Sequence, residues 1–304
     1  MASSSEGLDG FRSGFVAIVG RPNVGKSTLL NKILDYKVSI VTPKPQTTRK
    51  SILGILTSDN YQIAFVDTPG LHNLKKGGIY EFMLHTIFKA ISTADIVAYM
   101  TEATSPTDGD EAFLNKIHRS KAPKILIINK IDLIKKAELL PKIDYFSKNF
   151  RFDEIVPVSA RTGDGVDLLK KLIVKYLPAG SPYFPDEQIT DQNERVIASE
   201  IIREKLFMVL KHEIPYAVAV DIEEFKERSE KLVYIRACVI VEKESQKPIV
   251  IGHGGILLKR VGQLAREEIE RMLSKKIFLE LFVKVKKDWT KDPRALRELG
   301  FSST

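Results

Sequence analysis

The chain has one cysteine (Cys238), one tryptophan (Trp289) and five histidines in 304 residues. A lone thiol excludes a disulfide framework and a zinc site built on several cysteines, and it fits a reducing compartment. No apolar run approaches the roughly 18 residues that a membrane-spanning helix needs. Glycine (18) and proline (14) are too sparse for a collagen-like or low-complexity chain, and 43% hydrophobic residues suffice to bury a core. Internal repeats and biased tracts are absent. The opening residues 1–14 are rich in serine and glycine, with Glu6 and Asp9 among them. They lack the basic start and apolar core of a secretory signal and the Arg-rich amphipathic pattern of a transit peptide. A cytoplasmic protein without transmembrane segments is expected.

The length allows one large or two moderate domains. The net charge of +8 is unevenly spread: residues 1–180 carry +7, residues 181–250 carry −4 and residues 251–304 carry +5. Excess charge over the first part reads as a solvated surface. The acidic-to-basic swing in the last part suggests a patch for a polyanion.

Short apolar runs at 14–20, 61–67, 95–100, 124–129 and 154–158 read as buried strands, and helix-length stretches at 25–35, 79–93, 107–120, 135–148 and 164–177 alternate with them. Alternation of that kind implies an α/β domain with a mostly parallel sheet covered on both faces. It occupies 14–178, behind a flexible N-terminus (1–13). Three prolines, a glycine and a serine between Leu177 and Pro185 read as a linker, placed at 179–189. The remainder, 190–304, reads as an α+β domain with a C-terminal tail: a helix with Asp191 and Glu194 at capping-box spacing, strands at 216–222 and 233–241, a helical segment near 245–251, a longer helix, and a strand at 277–286.

Gly20-Arg21-Pro22-Asn23-Val24-Gly25-Lys26-Ser27 fits G-x-x-x-x-G-K-[ST] between a strand and a helix, with Thr28 next in line. The glycines let main-chain N–H groups wrap phosphates, and the helix N-terminus adds its positive dipole end. Lys26 supplies a cation to the β- and γ-phosphates, and the Ser27 hydroxyl can reach Mg²⁺. Asp67-Thr68-Pro69-Gly70 ends a strand, where the carboxylate can hold a Mg²⁺-bound water and the Gly70 N–H can meet a γ-phosphate. Asn129-Lys130-Ile131-Asp132 ends another strand: Asp132 can accept from guanine N1–H and the 2-amino group, and Asn129 and the Lys130 stem shape the base pocket. Ser159-Ala160 can offer a backbone N–H to guanine O6. All of these fall at strand C-termini, where open α/β sheets bind ligands.

The set GRPNVGKS, PQTTR, DTPG, NKID and SA resembles the guanine-nucleotide domain of translation-factor-type GTPases. With the second half included, the chain is similar over residues 14–300 to the Era-like family of bacterial ribosome-assembly GTPases. The resemblance implies GTP hydrolysis to GDP with Mg²⁺, which Ser27, Thr48 and Asp67 would hold, Thr48 being preferred over its neighbour Thr47. Lys26, Thr48, Asp67 and Gly70 would form the catalytic set. Segments 36–50 and 68–79 would be the two switches, ordered by the γ-phosphate. Where Ras-type enzymes carry the water-orienting glutamine, this chain has Leu71, which predicts slow intrinsic turnover. His72 beside it reads as a solvated switch residue rather than a general base. Asn23 makes K⁺ a candidate activating cation; the plain alternative is an asparagine that tolerates a tight loop.

Ile251-Gly252-His253-Gly254-Gly255, between two helices, is similar to the G-x-x-G loop of a KH domain, and the α-β-β-α-α-β order fits its type II form. A glycine-bounded turn lets a nucleic-acid backbone approach helix N–H groups. Lys259, Arg260 and Arg266 are candidate phosphate contacts, and Lys284, Lys286 and Lys287 would extend the surface or merely solvate an edge strand. Trp289 and Phe282 read as packing residues, and Cys238 as a small buried hydrophobe. The family resemblance implies the 3′ end of 16S rRNA in the assembling 30S subunit as partner, a monomer, and peripheral inner-membrane association, for which no amphipathic basic helix is evident. Rival readings are an ATP-dependent phosphotransferase, an Era-type GTPase acting on another RNA, or an RNA chaperone with a weakly active nucleotide site.

Overall fold

The apolar runs become strands wherever they can be covered on both sides. The computed structural model describes residues 10–70, 77–103 and 108–301; Leu71 and His72 lie outside them. The chain divides into two compact units. The first draws its described residues from Met1–Ser39, Thr48–Leu74 and Met83–Asp191. It contains β1 (Arg12–Gly20), α1 (Lys26–Leu34), β2 (Ile52–Ser58), β3 (Tyr61–Asp67), most of α2 (Ile79–Thr93), β4 (Ile96–Glu102), α3 (Asp108–Ile117), β5 (Lys124–Asn129), α4 (Lys136–Asn149), β6 (Glu154–Pro157) and α5 (Val166–Tyr176). The strand order is β2-β3-β1-β4-β5-β6, parallel throughout except for β2, which runs antiparallel to β3.

Successive residues of each central strand serve opposite layers. Val16 and Ile18 of β1 pack with Leu29, Leu30, Leu169 and Ile173 of α1 and α5. Ala17 and Val19 pack with Ile87, Phe113, Leu114 and Phe146 on the other face. Each of the larger of these side chains, fully buried, stabilises the fold by about 1.5–3 kcal/mol. The edge strand β2 has no counterpart in the sequence reading. Its short stretch is interrupted by Gly54, and it acquires its identity only by pairing with β3.

The proline-rich stretch 179–190 is bonded along its length to the first unit. Gly180 N donates to Phe11 O (3.1 Å), Gln62 Oε1 accepts from the amides of Tyr183 and Phe184 (2.8 and 2.9 Å), and Ile55 N donates to Ile189 O (2.8 Å). Thr190 completes it, its hydroxyl donating to Leu53 O at 2.7 Å.

The second unit takes in Gln192–Thr304 together with Ile40–Thr47 and the described part of Lys75–Phe82. Its elements are α6 (Glu194–Val209), β7 (Ala219–Ser229), β8 (Leu232–Val241), α7 (Gln246–Ile251), α8 (Ile256–Leu273), β9 (Lys276–Val285) and α9 (Pro293–Glu298). The sheet order is β7-β8-β9, antiparallel then parallel. Val233, Ile235, Ala237 and Val239 face α6 and α8 through Ile202, Leu206, Val261, Ala265 and Ile269. Asn193, not Asp191, caps α6, its side chain accepting from Val196 N at 3.0 Å; the capping-box spacing pointed two residues too early. Trp289 is fully buried, donates Nε1–H to Ala217 O (2.9 Å) and stacks on Phe301.

Cys238 is buried in β8, and burial pushes its thiol up to about 11. At pH 8 the group is therefore neutral in all but about one molecule in a thousand. We expect a thiol reagent at that pH to leave the native chain unmodified and to label one site per chain in denaturant; rapid native labelling would contradict the burial.

Candidate functional site

In the first unit, the turn from β1 to α1 is shaped by a residue that cannot have a side chain. Gly25 sits at φ +103°, and a Cβ there would stand 2.3 Å from Asn129 Nδ2. The close approach is used: Asn129 Nδ2 donates to Val24 O (2.7 Å), and Asn129 Oδ1 accepts from Ala160 N (2.9 Å). Asn129 thus braces the phosphate loop to the Ser159–Ala160 loop.

Lys26 is buried, and its Nζ donates to Gly20 O (3.1 Å) and Arg21 O (2.8 Å). Burial lowers its pKa to about 8 against the opposing pull of the Asp67 charge. Asp67 is fully buried. Desolvation raises its pKa, countered by the Lys26 charge and by hydrogen bonds from Ser27, Ser39 and Thr48. Its Oδ2 accepts from Ser27 Oγ (2.6 Å) and Ser39 Oγ (2.9 Å), while Ser27 Oγ lies 3.0 Å from Thr48 Oγ1.

Asp67 Oδ1 is buried with no hydrogen-bond partner among the described residues. A buried carboxylate oxygen left over in a ring of hydroxyls, beside a loop built for phosphate, fits Mg²⁺, which takes few protein oxygens and fills its shell with water and phosphate. No group of three or more His, Cys, Asp or Glu that could hold a metal occurs among the described residues. Thr48 reaches this cluster and Thr47 does not: the Thr47 hydroxyl lies 2.6 Å from Thr42 Oγ1 and donates to Lys44 O. Ser39 was missed by sequence reasoning, and one hydroxyl in a mixed stretch offered no signal.

Of the other candidates, Thr68 turns its hydroxyl to Ile18 O (2.8 Å), and Gly70 lies against Pro22. Asn23 is exposed at φ +63°, and Thr28 is half-buried in the first turn of α1. At the base end, Asp132 Oδ1 accepts from Ser159 Oγ (2.7 Å) and Oδ2 from Arg161 Nη2 (2.6 Å). The Ser159 bond, ahead of the Arg161 charge, holds the Asp132 carboxyl below its ordinary value. Lys130 has φ +65° and pairs with Glu102 at 2.8 Å. The Ser159 and Ala160 amides already donate to Asp164 O and Asn129 Oδ1, so donation by Ala160 to a base is shared.

The second unit holds the glycine loop between α7 and α8. Gly252 has φ +76°, and a Cβ there would press on Leu257 at 2.9 Å or less, which makes the turn glycine-dependent. Ile251 is half-buried beside it, and His253 and Gly254 are exposed, as are Lys259, Arg260 and Arg266 on α8. These three cations have no ion-pair partner among the described residues. Lys284 and Lys286, by contrast, are paired to Glu223 and Glu298, which leaves them less free to meet phosphate. The Phe282 ring is covered by Arg236 and Lys284.

The two units therefore define a class, a P-loop GTPase domain followed by a KH domain. The family described as 50S ribosome-binding GTPase matches residues 15–130, and the KH domain family matches residues 213–290. The chain is 49% identical to the GTPase Era of Geobacter metallireducens over 294 residues (96% of this chain, 98% of that protein). It is 50% identical to that of Actinobacillus pleuropneumoniae serotype 5b over 289 residues, 95% of each chain. Two solved structures superpose with a TM-score of 0.92, each covering 96% of this chain and all of its own. One is Era in complex with MgGDPNP and nucleotides 1506–1542 of 16S ribosomal RNA, at 42% identity, and the other is a point variant of Aquifex aeolicus Era bound to GDP·AlF4−, at 41%. The chain belongs to the Era family of GTPases.

The Asn129 brace carries two buried hydrogen bonds. Asn129→Ala should cost about 2–3 kcal/mol, read as a lower denaturant midpoint at unchanged slope, together with weaker GDP binding.

Proposed function

We propose that this chain binds GTP and GDP with Mg²⁺ through residues 20–28, 67–70 and 129–132, hydrolyses GTP slowly, and binds the 3′ end of 16S rRNA through its KH domain during assembly of the small ribosomal subunit. The observation that carries the reading is the buried Ser27–Thr48–Asp67 cluster with its spare carboxylate oxygen. It is supported by a 42% identical relative solved with MgGDPNP and nucleotides 1506–1542 of 16S ribosomal RNA.

In this reading the N–H groups of Gly20–Ser27 and the Lys26 ammonium grip the β- and γ-phosphates. Ser27, Thr48 and Asp67 would hold Mg²⁺, which offsets charge on the transferred phosphoryl group. Phosphate beside Lys26 restores the charge that burial disfavours. The Gly70 N–H meets the γ-phosphate, and Asp132 rejects adenine by accepting from two groups that adenine lacks in that arrangement. Leu71 cannot orient water, so the nucleophile is placed by backbone, another switch residue, a cation or the RNA-bound partner. We assign K⁺ to the Asn23 loop as that cation. Gly252–Gly255 and the unpaired Lys259, Arg260 and Arg266 hold the RNA backbone, as a KH groove holds about four splayed nucleotides. Residence in the cytoplasm follows from this partner, and no described helix is long and apolar enough to cross a membrane. Peripheral contact with the inner membrane and a monomeric state complete the proposal.

Asp132→Asn should lower GTP turnover at subsaturating substrate by at least ~100-fold while conferring turnover of xanthosine triphosphate; an unchanged base preference would remove the guanine assignment. Hydrolysis without RNA should stay below about one turnover per second and rise when NaCl is replaced by KCl; tens per second without a partner, or equal rates in the two salts, would contradict Leu71 and Asn23 respectively. Lys259→Ala and Arg260→Ala should each weaken binding to a 3′-terminal 16S rRNA oligonucleotide and reduce the salt slope by about one.

A further inference from the structure

Within the first unit, Val38 and Ser39 belong to no helix or strand, yet both are buried. Buried main-chain N–H and C=O groups need partners, which regular structure ordinarily supplies. Here one side chain supplies them. Asn31 of α1 accepts from Val38 N (3.1 Å) and Ser39 N (3.0 Å) through Oδ1, and its Nδ2 donates to Ser39 O at 2.7 Å. Its carbonyl takes the amide of Tyr36 (3.3 Å) and that of Asp35, the residue at φ +49° that ends the helix. The chain leaving α1 is thus wrapped around a single residue. Asparagine suits the task, because its amide carries donor and acceptor together on a short stem, whereas an ionised aspartate offers no donor.

What the wrap presents is the Ser39 hydroxyl. Ser39 is 1% exposed, and its Oγ donates to Asp67 Oδ2 at 2.9 Å, the oxygen that Ser27 Oγ also meets at 2.6 Å. Two hydroxyls converge on one carboxylate oxygen, and Oδ1 has no partner among the described residues. The direction of that remaining oxygen is set by where the two hydroxyls stand. Ser27 is fixed by α1 itself. Asn31 follows it by four residues, on the same face of the helix. One helix therefore places both donors, the first directly and the second through the Asn31 amide.

We infer that Asn31 is a positioning residue of the nucleotide site: through the Val38–Ser39 main chain it stations the Ser39 hydroxyl on Asp67 and so fixes the orientation of the oxygen left for Mg²⁺. The inference rests on the assignment of Ser27 and Asp67 to the magnesium–phosphate site. The Asn31 amide is engaged with main chain and acts only through Ser39.

The test is a double-mutant cycle on the full chain without RNA, read as GDP affinity in Mg²⁺ and in EDTA. Asn31→Ala keeps a good helix former in α1 and removes the amide; Ser39→Ala removes the hydroxyl alone. Each is expected to weaken GDP binding in Mg²⁺ by about tenfold, the scale of one hydrogen bond to a charged group. Affinity in EDTA should stay near that of the unaltered chain. The double variant should lose no more than either single one, because the two residues act in series. Asn31→Ala should also speed hydrogen exchange of the Ser39 amide. Asn31→Asp, which keeps the acceptor for both amides, should restore most of that protection and part of the Mg²⁺ response, and it takes the place of the alanine variant in the cycle should that variant not fold. Losses that multiply in the double variant would overturn the inference, as would a Ser39→Ala chain with an unaltered Mg²⁺ response. Equal losses in Mg²⁺ and EDTA would overturn it too, since they mark a general loosening of the loop. An unaltered chain whose GDP affinity ignores Mg²⁺ would instead sink the site reading on which the inference stands.

Discussion

The nucleotide site depends on one buried carboxylate. Asp67 is the last residue of β3, still paired to β1 and β2, and it sits within reach of Lys26 and three hydroxyls. Without those donors a carboxyl so deeply buried would take up a proton and lose its charge. With them, one oxygen is saturated and the other is left over. That imbalance is what the proposed Mg²⁺ site rests on, because a fully satisfied network offers a metal nothing. The parallel sheet serves this arrangement. It brings the ends of β1, β3 and β5 to one edge, so that residues far apart in sequence share a single crevice.

Much of this was legible in the sequence because the chemistry demands unusual residues in fixed order. A helix entered through two glycines, a lysine and a serine has few structural explanations. Strands β3 and β5 follow from their apolar runs to the residue, and the glycine loop after α7 was readable once its flanking elements were in place. Thr48 was preferred over Thr47 only through the family resemblance; the physical reason is which hydroxyl is spent on the local clasp. Ser39 was invisible for the opposite reason: nothing in its neighbours marks it, and its role arises from a contact 28 residues away.

The triplet at 203–205 shows the same limit in a sharper form. In sequence it resembles any charged surface of an amphipathic helix, flanked by Ile201, Ile202 and Leu206 on the core side. Only the packed structure reveals that the polar side is covered as well. Buried ionic groups are weak contributors to stability but demanding about geometry. Their presence on α6 points to a requirement for a defined position rather than for extra stability. Through Lys205 the same cluster touches α8, the helix that begins at the glycine loop.

The stretch 179–190 does more than connect. Strand β2 lies at the margin of the six-stranded sheet, and an uncovered margin of this kind invites pairing with another chain. Ile189 and Thr190 occupy that margin through the Ile55 amide and the Leu53 carbonyl. Dissection of the molecule is therefore sensitive to where the cut falls. A fragment ending after Pro178 leaves the β2 edge bare and prone to self-association, whereas one extended to Asp191 carries its own seal.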